Sequence, residues 1–314
     1  MHPPQKPDDS DCCNSGCTPC IFDIYEQQLK LYEKYLKSPQ TDLENYTNCL
    51  SLTNYSYFKL TSVEKLNLDT SAYIFQYVEI SREDTIQRRL FYKPGQHFLL
   101  KNVNILDDDS FQERNFDDTP CTRAYTPIPS DAEKSNMNSF TVIIKIYQNG
   151  KMSQFIKNLQ IGNLTKWRGP YGNYEVKYTY KNLLCISQGT GIAPIYSVIR
   201  QLLDCDECET RIQLFACYKN LDETLLRKEI NNMKSYWNFM AKLFLPHEAD
   251  PKNLFYNEQI ECRRIIEEDV NTYFTSNFVD PNRTQVLICG SDIFVETTKK
   301  FVQKFIEKIN LFVF

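Results

Sequence analysis

At 314 residues the chain exceeds one typical domain, and roughly 100–200 residues per domain predicts two, each with its own core. Its 42% hydrophobic and 24% charged residues are an ordinary globular balance, and a formal net charge of -4 gives no overall positive field for nucleic acid. No window approaches the ~20 apolar residues that cross a bilayer and residues 1–13 lack the apolar centre of a signal peptide, which predicts a soluble intracellular protein without a transmembrane anchor, cytoplasmic first and mitochondrial as the alternative.

Residues 1–10 are polar and proline-containing and read as a disordered tail. DCCNSGCTPC follows, and behind it Ile21, Ile24, Tyr25, Leu29, Tyr32 and Leu36 share one helical face. Residues 38–60 are polar with isolated apolar positions and read as a linker, so 1–60 form an N-terminal segment. Over 63–180, SAYIFQYVEIS, QRRLFYKPGQHFLLKN, TRAYTPIP and SFTVIIKIY are short β-branched and aromatic stretches between turn residues, the pattern of an antiparallel β-barrel or sandwich. The 20 Tyr and 20 Phe suit such a core, with ligand stacking as the alternative use. Residues 102–120 interrupt the strands as an acidic surface loop. Over 181–314, strands KNLLCISQ, RIQLFACY, NFMAKLFLP and TQVLICG alternate with helical IYSVIRQLL, DETLLRKEINNMKSYW, IECRRIIEEDVNTYF and SDIFVETTKKFVQKFIEKIN. That rhythm predicts a Rossmann-like parallel α/β sheet covered on both faces.

Three stretches can carry binding chemistry. QGTGIAP, with Gly189, Thr190, Gly191, Ala193 and Pro194, lies between a strand and a helix, where bare backbone amides can face a phosphate. The third glycine of the dinucleotide fingerprint is absent, so a plain turn stays open as the other reading. In CTRAYTPIP, Arg123 can fork onto a phosphate, while Tyr125 offers a flat ring and Thr126 a hydroxyl; ordinary strand alternation is the alternative. In GKMS, from Gly150 to Ser153, a strand runs into a short helix that starts near Ser153 and forms a second anion seat.

RAYTPI, IIKIY, GKMS, RGPYG, GTGIAP and a terminal CG occur in that order, with PGQH at 94–97, ETLLR at 223–227 and the ending FVF. From about Ser71 to Phe314 the chain resembles the ferredoxin reductase-like flavoproteins, and within them the NADH-cytochrome b5 reductases. The resemblance implies an FAD-binding β-barrel followed by an NAD-binding α/β domain, and an oxidoreductase that takes hydride from NADH, with NADPH open as a donor, and passes single electrons to a haem acceptor such as cytochrome b5. It implies that Arg123 contacts the flavin pyrophosphate, Ala124 is a further cofactor-binding residue, Tyr125 packs on the isoalloxazine, and Thr126 hydrogen-bonds near the ring nitrogen that receives hydride. Ile143 and Lys145 would border flavin and nicotinamide, Thr126 and Lys145 being the catalytic pair, with Lys145 also balancing negative charge on reduced flavin. Gly150, Lys151, Met152 and Ser153 would hold the FAD phosphates. Gly189–Pro194, Cys289 and Gly290 would receive NADH.

The chain departs from the family pattern at three places. It has CGSDIF at 289–294 where relatives often have CGPPPM, and a short QN before GKMS. After the third βα strand, where relatives carry an acid that favours NADH, it has LFLPHEAD, with Glu248 or Asp250 as stand-ins. Lys93, Lys101 and Lys151 are candidates for a local basic patch that an acidic haem partner would meet.

Twelve cysteines without a secretion signal read as thiols or metal ligands rather than a disulfide framework. Cys12, Cys13, Cys17 and Cys20 resemble the short oxidoreductase-like segment that occurs ahead of reductase modules, whose role the likeness does not imply. Four thiolates in nine residues could hold zinc or an iron-sulfur cluster, or pack beside the helix as thiols. A flavoprotein that routes electrons through such a centre to another acceptor is therefore a second reading, and a non-catalytic interaction protein that keeps the fold a third. Cys205 and Cys208 read as surface thiols, and His2, His97 and His247 have no partner at ligand spacing.

Overall fold

The structure is a computed structural model that describes residues 46–79, 87–105, 113–115, 121–130, 137–276, 279–307 and 310–314, with Lys6, Phe22, Tyr25, Glu26, Leu29, Lys30, Tyr32 and Glu33. The chain divides into two compact units, residues 1–48 with 84–89 and residues 49–83 with 90–314. In the first, the described residues between Phe22 and Glu33 are helical and β1 (Thr47–Asn48) pairs in parallel with β4 (Arg88–Arg89). The disordered-tail reading, apart from Lys6, lies outside the described residues, as does most of the acidic loop.

The second unit contains two large sheets. The first is seven-stranded and wholly antiparallel, in the order β8 (Thr122–Tyr125), β5 (His97–Lys101), β11 (Leu164–Tyr171), β2 (Ser56–Lys65), β3 (Thr70–Val78), β10 (Ser139–Lys145) and β9 (Pro127–Ile128). Residues 56–60, which read as linker, are instead the first half of β2, where Phe58 and Leu60 are buried on either side of exposed Lys59. Sequence period alone misses them because Phe58 and Leu60 are the only two buried residues of the stretch, too few for a two-residue period to show. Register places Phe140 opposite Phe75 and Trp167 opposite Leu100. The rings converge there: Phe140 lies 4.9 Å from Phe98 and 5.0 Å from Trp167, and Phe75 lies 5.0 Å from Trp167. Trp167 is fully buried, and its indole Nε1 donates to Thr165 Oγ1 at 2.9 Å, which in turn donates to the Phe58 carbonyl at 2.8 Å. Helix α1 (Lys151–Asn158) closes this core with Met152, Phe155 and Ile156. A small hairpin, β6 (Val103–Ile105) with β7 (Glu113–Asn115), packs beside β11 without joining the sheet.

The second sheet is parallel and six-stranded, in the order β15 (Gln259–Glu261), β14 (Phe239–Phe244), β13 (Arg211–Cys217), β12 (Asn182–Gln188), β16 (Thr284–Cys289) and β17 (Leu311–Val313). β12 is buried along six of its seven residues, as a strand covered on both faces must be. Helices α2 (Ile192–Leu203) and α3 (Arg227–Met233) sit on one core, and α4 (Glu267–Thr275) and α5 (Asp292–Val302) on the other. This is the expected α/β order after an antiparallel sheet, with two strands and several helix bounds that periodicity did not supply. Residues 259–261 form an edge strand rather than helix, because the Asp269 carboxylate takes the Ile266 amide at 2.9 Å and both Arg263 nitrogens at 2.7 and 2.8 Å, fixing the start of α4 later. Leu226 at φ 54 stands in the left-handed region, so α3 begins only at Arg227. The last helix stops at Val302, and the chain returns as β17. Cys208, read as a surface thiol, is buried in the core beside half-buried Cys205.

The sheets are tied to each other. Ser197 Oγ on α2 donates to the Pro127 carbonyl of β9 at 3.0 Å, and the Tyr174 hydroxyl, just after β11, donates to Gln285 Oε1 of β16 at 3.0 Å. Tyr174 also meets Phe312 and Phe314 at ring distances of 4.8 and 5.2 Å.

Two stability predictions follow from this packing. Trp167→Ala removes the ring that Phe75, Tyr125 and Phe140 share together with its buried hydrogen bond, and should lower unfolding free energy by about 3–5 kcal/mol in urea titration. Burial alone would raise the Asp269 carboxyl, but hydrogen bonds from Arg263 and the Ile266 amide outweigh it and hold the group below its ordinary value. A depressed carboxylate contributes stability that is present above its unfolded pKa and lost as pH falls through its folded pKa. Below about pH 4 the wild-type urea midpoint should therefore fall with pH more steeply than that of Asp269→Asn.

Candidate functional site

In the parallel sheet the strand order reverses across β12: β13, β14 and β15 extend to one side, β16 and β17 to the other. Open α/β sheets bind ligands at the carboxyl ends of the strands flanking such a point. Here those ends are Gly189–Gly191, after β12, and Cys289–Gly290, at the end of β16. Gly189 has φ +56, a left-handed conformation that a side chain would strain. Gly191 is held for a different reason. A Cβ placed there would lie 2.6 Å from the Cys289 carbonyl oxygen, 2.8 Å from its carbon and 3.0 Å from the Gly290 nitrogen, all backbone atoms. Gln188 Oε1 braces the same edge by accepting from Ser291 Oγ at 2.7 Å and the Ser291 amide at 3.3 Å.

A cleft of ≈ 1310 Å³ opens between this edge and the antiparallel sheet. It gathers twelve of the seventeen residues singled out in the last two-thirds of the chain: Ala124, Tyr125, Thr126, Ile143 and Lys145 from the first sheet, and Gly189, Thr190, Gly191, Ala193, Pro194, Cys289 and Gly290 from the second. β8 carries Tyr125 opposite Phe98 of β5, and β10 ends at Lys145 opposite Thr70. The other five do not line it. Arg123 is exposed on β8 with Nη1 donating to the Thr122 carbonyl at 2.9 Å. Gly150 caps α1 without a side-chain hydrogen bond, so the helix begins at Lys151, two residues earlier than expected. Exposed Lys151 follows it in the first turn of α1, where backbone amides can face an anion. Met152 is buried in the aromatic core, and Ser153 Oγ accepts the Tyr147 amide at 3.0 Å, so its hydroxyl oxygen already fastens the turn.

The electrostatics of the cleft are unequal along its length. Lys145 Nζ lies 3.0 Å from Asp69 Oδ2 and 3.6 Å from Glu223 Oε2, an ion triad that joins the two sheets. Burial alone would lower the Lys145 ammonium, but the Asp69 hydrogen bond and both carboxylates outweigh it and raise its pKa, so Lys145 stays charged. Desolvation pushes the Tyr125 phenol up, and burial pushes the Cys289 thiol up to about 11, which keeps both neutral at pH 7. The cleft wall thus offers a neutral thiol, a phenol, bare amides and one anchored cation. Periodicity gave no sign of Asp69, Glu223, Gln188 or Ser291, because each acts through a partner remote in sequence.

Both cofactor classes fit this set. A close backbone approach at Gly191 leaves a cradle that a Cβ would fill, as a dinucleotide diphosphate requires, and the uncapped start of α1 with exposed Arg123 and Lys151 supplies amides and cations of the kind that hold flavin phosphates. Cys12, Cys13, Cys17 and Cys20 lie outside the described residues, and among the described residues no group of three or more His, Cys, Asp or Glu is placed to hold a metal. Nor is any described helix long and apolar enough to cross a membrane.

Comparison with known proteins agrees. Residues 57–176 match the oxidoreductase FAD-binding domain, 185–300 the oxidoreductase NAD-binding domain, and 2–41 the N-terminal segment of oxidoreductase-like proteins. The chain is 30% identical over 307 residues to a Mus musculus protein named NADH-cytochrome b5 reductase-like, covering 93% of this chain and 89% of that one, and 30% identical over 264 residues to its Homo sapiens namesake, covering 82% and 76%. In fold it is similar to the cytochrome b5 reductase domain of Ulva prolifera nitrate reductase, with TM-score 0.67, 19% identity and coverage of 85% of this chain and 100% of that one. It is also similar to the CS-b5R domains of human Ncb5or, with TM-score 0.66, 19% identity and coverage of 83% and 69%. With FAD- and NAD-binding domains in that order and 30% identity to such a relative over 93% of its length, the chain belongs to the NADH-cytochrome b5 reductase-like flavoproteins.

Proposed function

We propose that the protein oxidises NADH through bound FAD and delivers the electrons singly to a haem protein of the cytochrome b5 kind. The observation that carries this reading is the meeting, in one cleft, of the Ala124–Thr126 strand end with the Gly189–Pro194 turn and Cys289–Gly290. FAD, when bound, supplies the conversion of a two-electron input into one-electron outputs. The protein's part is alignment, which needs neither nucleophile nor acid–base pair.

Each residue then has a specific task. Arg123 and the amides of Gly150–Ser153 hold the FAD diphosphate, Met152 through its main chain alone since its side chain is buried. Tyr125 and Ile143 form apolar walls for the flat rings, and Thr126 offers a hydroxyl at the ring edge. Gly189–Gly191, Ala193 and Pro194 seat the coenzyme diphosphate, and neutral Cys289 with Gly290 borders its nicotinamide. Lys145, held charged by Asp69 and Glu223, is oriented to favour developing negative charge beside it. For the acceptor, the basic surface centres on Lys101; the Lys93 ammonium is paired to Glu175 at 2.9 Å. Lys101 stands opposite Lys166 in the β5–β11 register, and Lys101 and Arg168 both sit over the Tyr55 ring.

Purified protein should be yellow, and anaerobic NADH should bleach it in stopped-flow absorbance, with oxidised cytochrome b5 reduced in a following phase. Lys101→Glu should slow only the second phase and lessen its dependence on salt; an unbleached flavin refutes the reading. Gly191→Ala forces backbone at β12 and β16 apart. It should lower kcat/KM for NADH by about 10–100-fold while the FAD content of the purified protein stays at the wild-type level.

A further inference from the structure

Beyond the diphosphate turn, three consecutive strands of the parallel sheet deliver a basic residue to the same carboxyl edge. β13 runs out through Tyr218 to Lys219, β14 through Leu245 and Pro246 to His247, and β15 through Arg263 to Arg264. Main-chain hydrogen bonds fix this alignment: the His247 amide donates to the Lys219 carbonyl at 2.9 Å, and the Leu245 and Arg263 amides both donate to the Glu261 carbonyl at 2.8 Å. Lys219, His247 and Arg264 are all exposed and line the cleft that also holds Gly189–Gly191.

The carboxylates of this edge face other partners. Glu248, the nearest stand-in for an acid that would accept a ribose hydroxyl, has Oε2 on the Leu221 amide at 2.9 Å. Asp250 is paired with Lys252 at 3.7 Å, and neither acid lines the cleft. Glu261 meets Lys242 and Arg263, each at 3.5 Å, and Asp269 is held by both terminal nitrogens of Arg263. Glu223, the one carboxylate among the described cleft residues, is shared by Lys145 and Lys219. Arg264 makes no ion pair among the described residues.

A dinucleotide whose diphosphate rests on a strand-to-helix turn reaches with its adenosine ribose toward the ends of the strands beside it. A carboxylate there accepts the 2′-hydroxyl and repels a 2′-phosphate, whereas an arginine with further cations accepts the phosphate. We propose that Lys219, His247 and Arg264 form a 2′-phosphate subsite, so that this chain takes NADPH as a hydride donor. Arg264 supplies the planar fork that grips two phosphate oxygens, Lys219 a point charge, and His247 a ring N–H. The inference rests on the reductase reading and adds to it the identity of the donor.

The test uses the full FAD-loaded chain. Stopped-flow flavin reduction should give NADPH a kcat/KM no lower than about one-tenth that of NADH, and His247→Asp and Arg264→Ala should each lower the NADPH:NADH ratio by about tenfold or more. A wild-type ratio below that bound, or a ratio that neither substitution moves, overturns the subsite. Calorimetry on the oxidised protein tests it without turnover. Adenosine 2′,5′-bisphosphate should bind about tenfold tighter than adenosine 5′-monophosphate and tighter than adenosine 3′,5′-bisphosphate, with the preference lost in Arg264→Ala. Equal binding of the two bisphosphates marks a general anion surface and overturns the proposal. Failure of both coenzymes to reduce the flavin would instead refute the reductase reading, and the calorimetric preference separates the two failures.

Discussion

The contact between the end of β12 and the end of β16 governs the rest of the molecule. Gly191 approaches the Cys289 carbonyl so closely that a methyl group there would lie 2.6 Å from its oxygen. Two neighbouring parallel strands can come this near at their carboxyl ends only if one of them turns away on a residue without a side chain. The crevice that results lies where the strand order reverses, and backbone amides rather than side chains floor it. Gln188 and Ser291 keep the two strand ends from parting.

A crevice alone would admit a nucleotide without setting what faces it. That is the role of the antiparallel sheet, whose Phe75, Phe98, Phe140 and Trp167 cluster makes a stiff platform under Tyr125. Because interiors packed to this density do not deform continuously, β8 and β10 hold Ala124–Thr126 and Lys145 in place against the second sheet. The ties between sheets are of unlike kinds: a buried serine hydroxyl on a carbonyl, a buried tyrosine on a glutamine, the same tyrosine's ring against Phe312 and Phe314, and the Asp69–Lys145–Glu223 triad. The half-exposed triad is screened by solvent and adds little stability on its own. It does keep a cation oriented at the mouth of the cleft.

Charge is distributed along that cleft in a way total composition conceals. The chain is net acidic, yet the edge formed by β13, β14 and β15 presents Lys219, His247 and Arg264 while its acids are turned to arginine, lysine or amide partners. Local fields in a walled crevice depend on which groups face it and not on their sum.

The alternation of β-rich and βα stretches, the glycine turn after KNLLCISQ and the ordered motifs from RAYT to CG make the fold class legible in the sequence, and they single out twelve residues that line one cleft, since these are local signals of period and turn chemistry. The short edge strands β15 and β17 lay hidden inside helical-looking runs because a three-residue strand has no period to detect, and the starts of α3 and α4 depend on a left-handed Leu226 and on a carboxylate three residues into the next helix. Which acids were free to meet a ligand was also beyond a linear reading: Glu248 looked available in LFLPHEAD until the fold laid it against the Leu221 amide, 27 residues away. Sequence by itself determined the two sheets, their order and the turns that bear ligand-facing amides, because neighbours along the chain fix backbone conformation. Tertiary structure alone decided which charges meet, which thiols are buried and which side chains line the cleft, because burial and pairing are set by residues that only folding brings together.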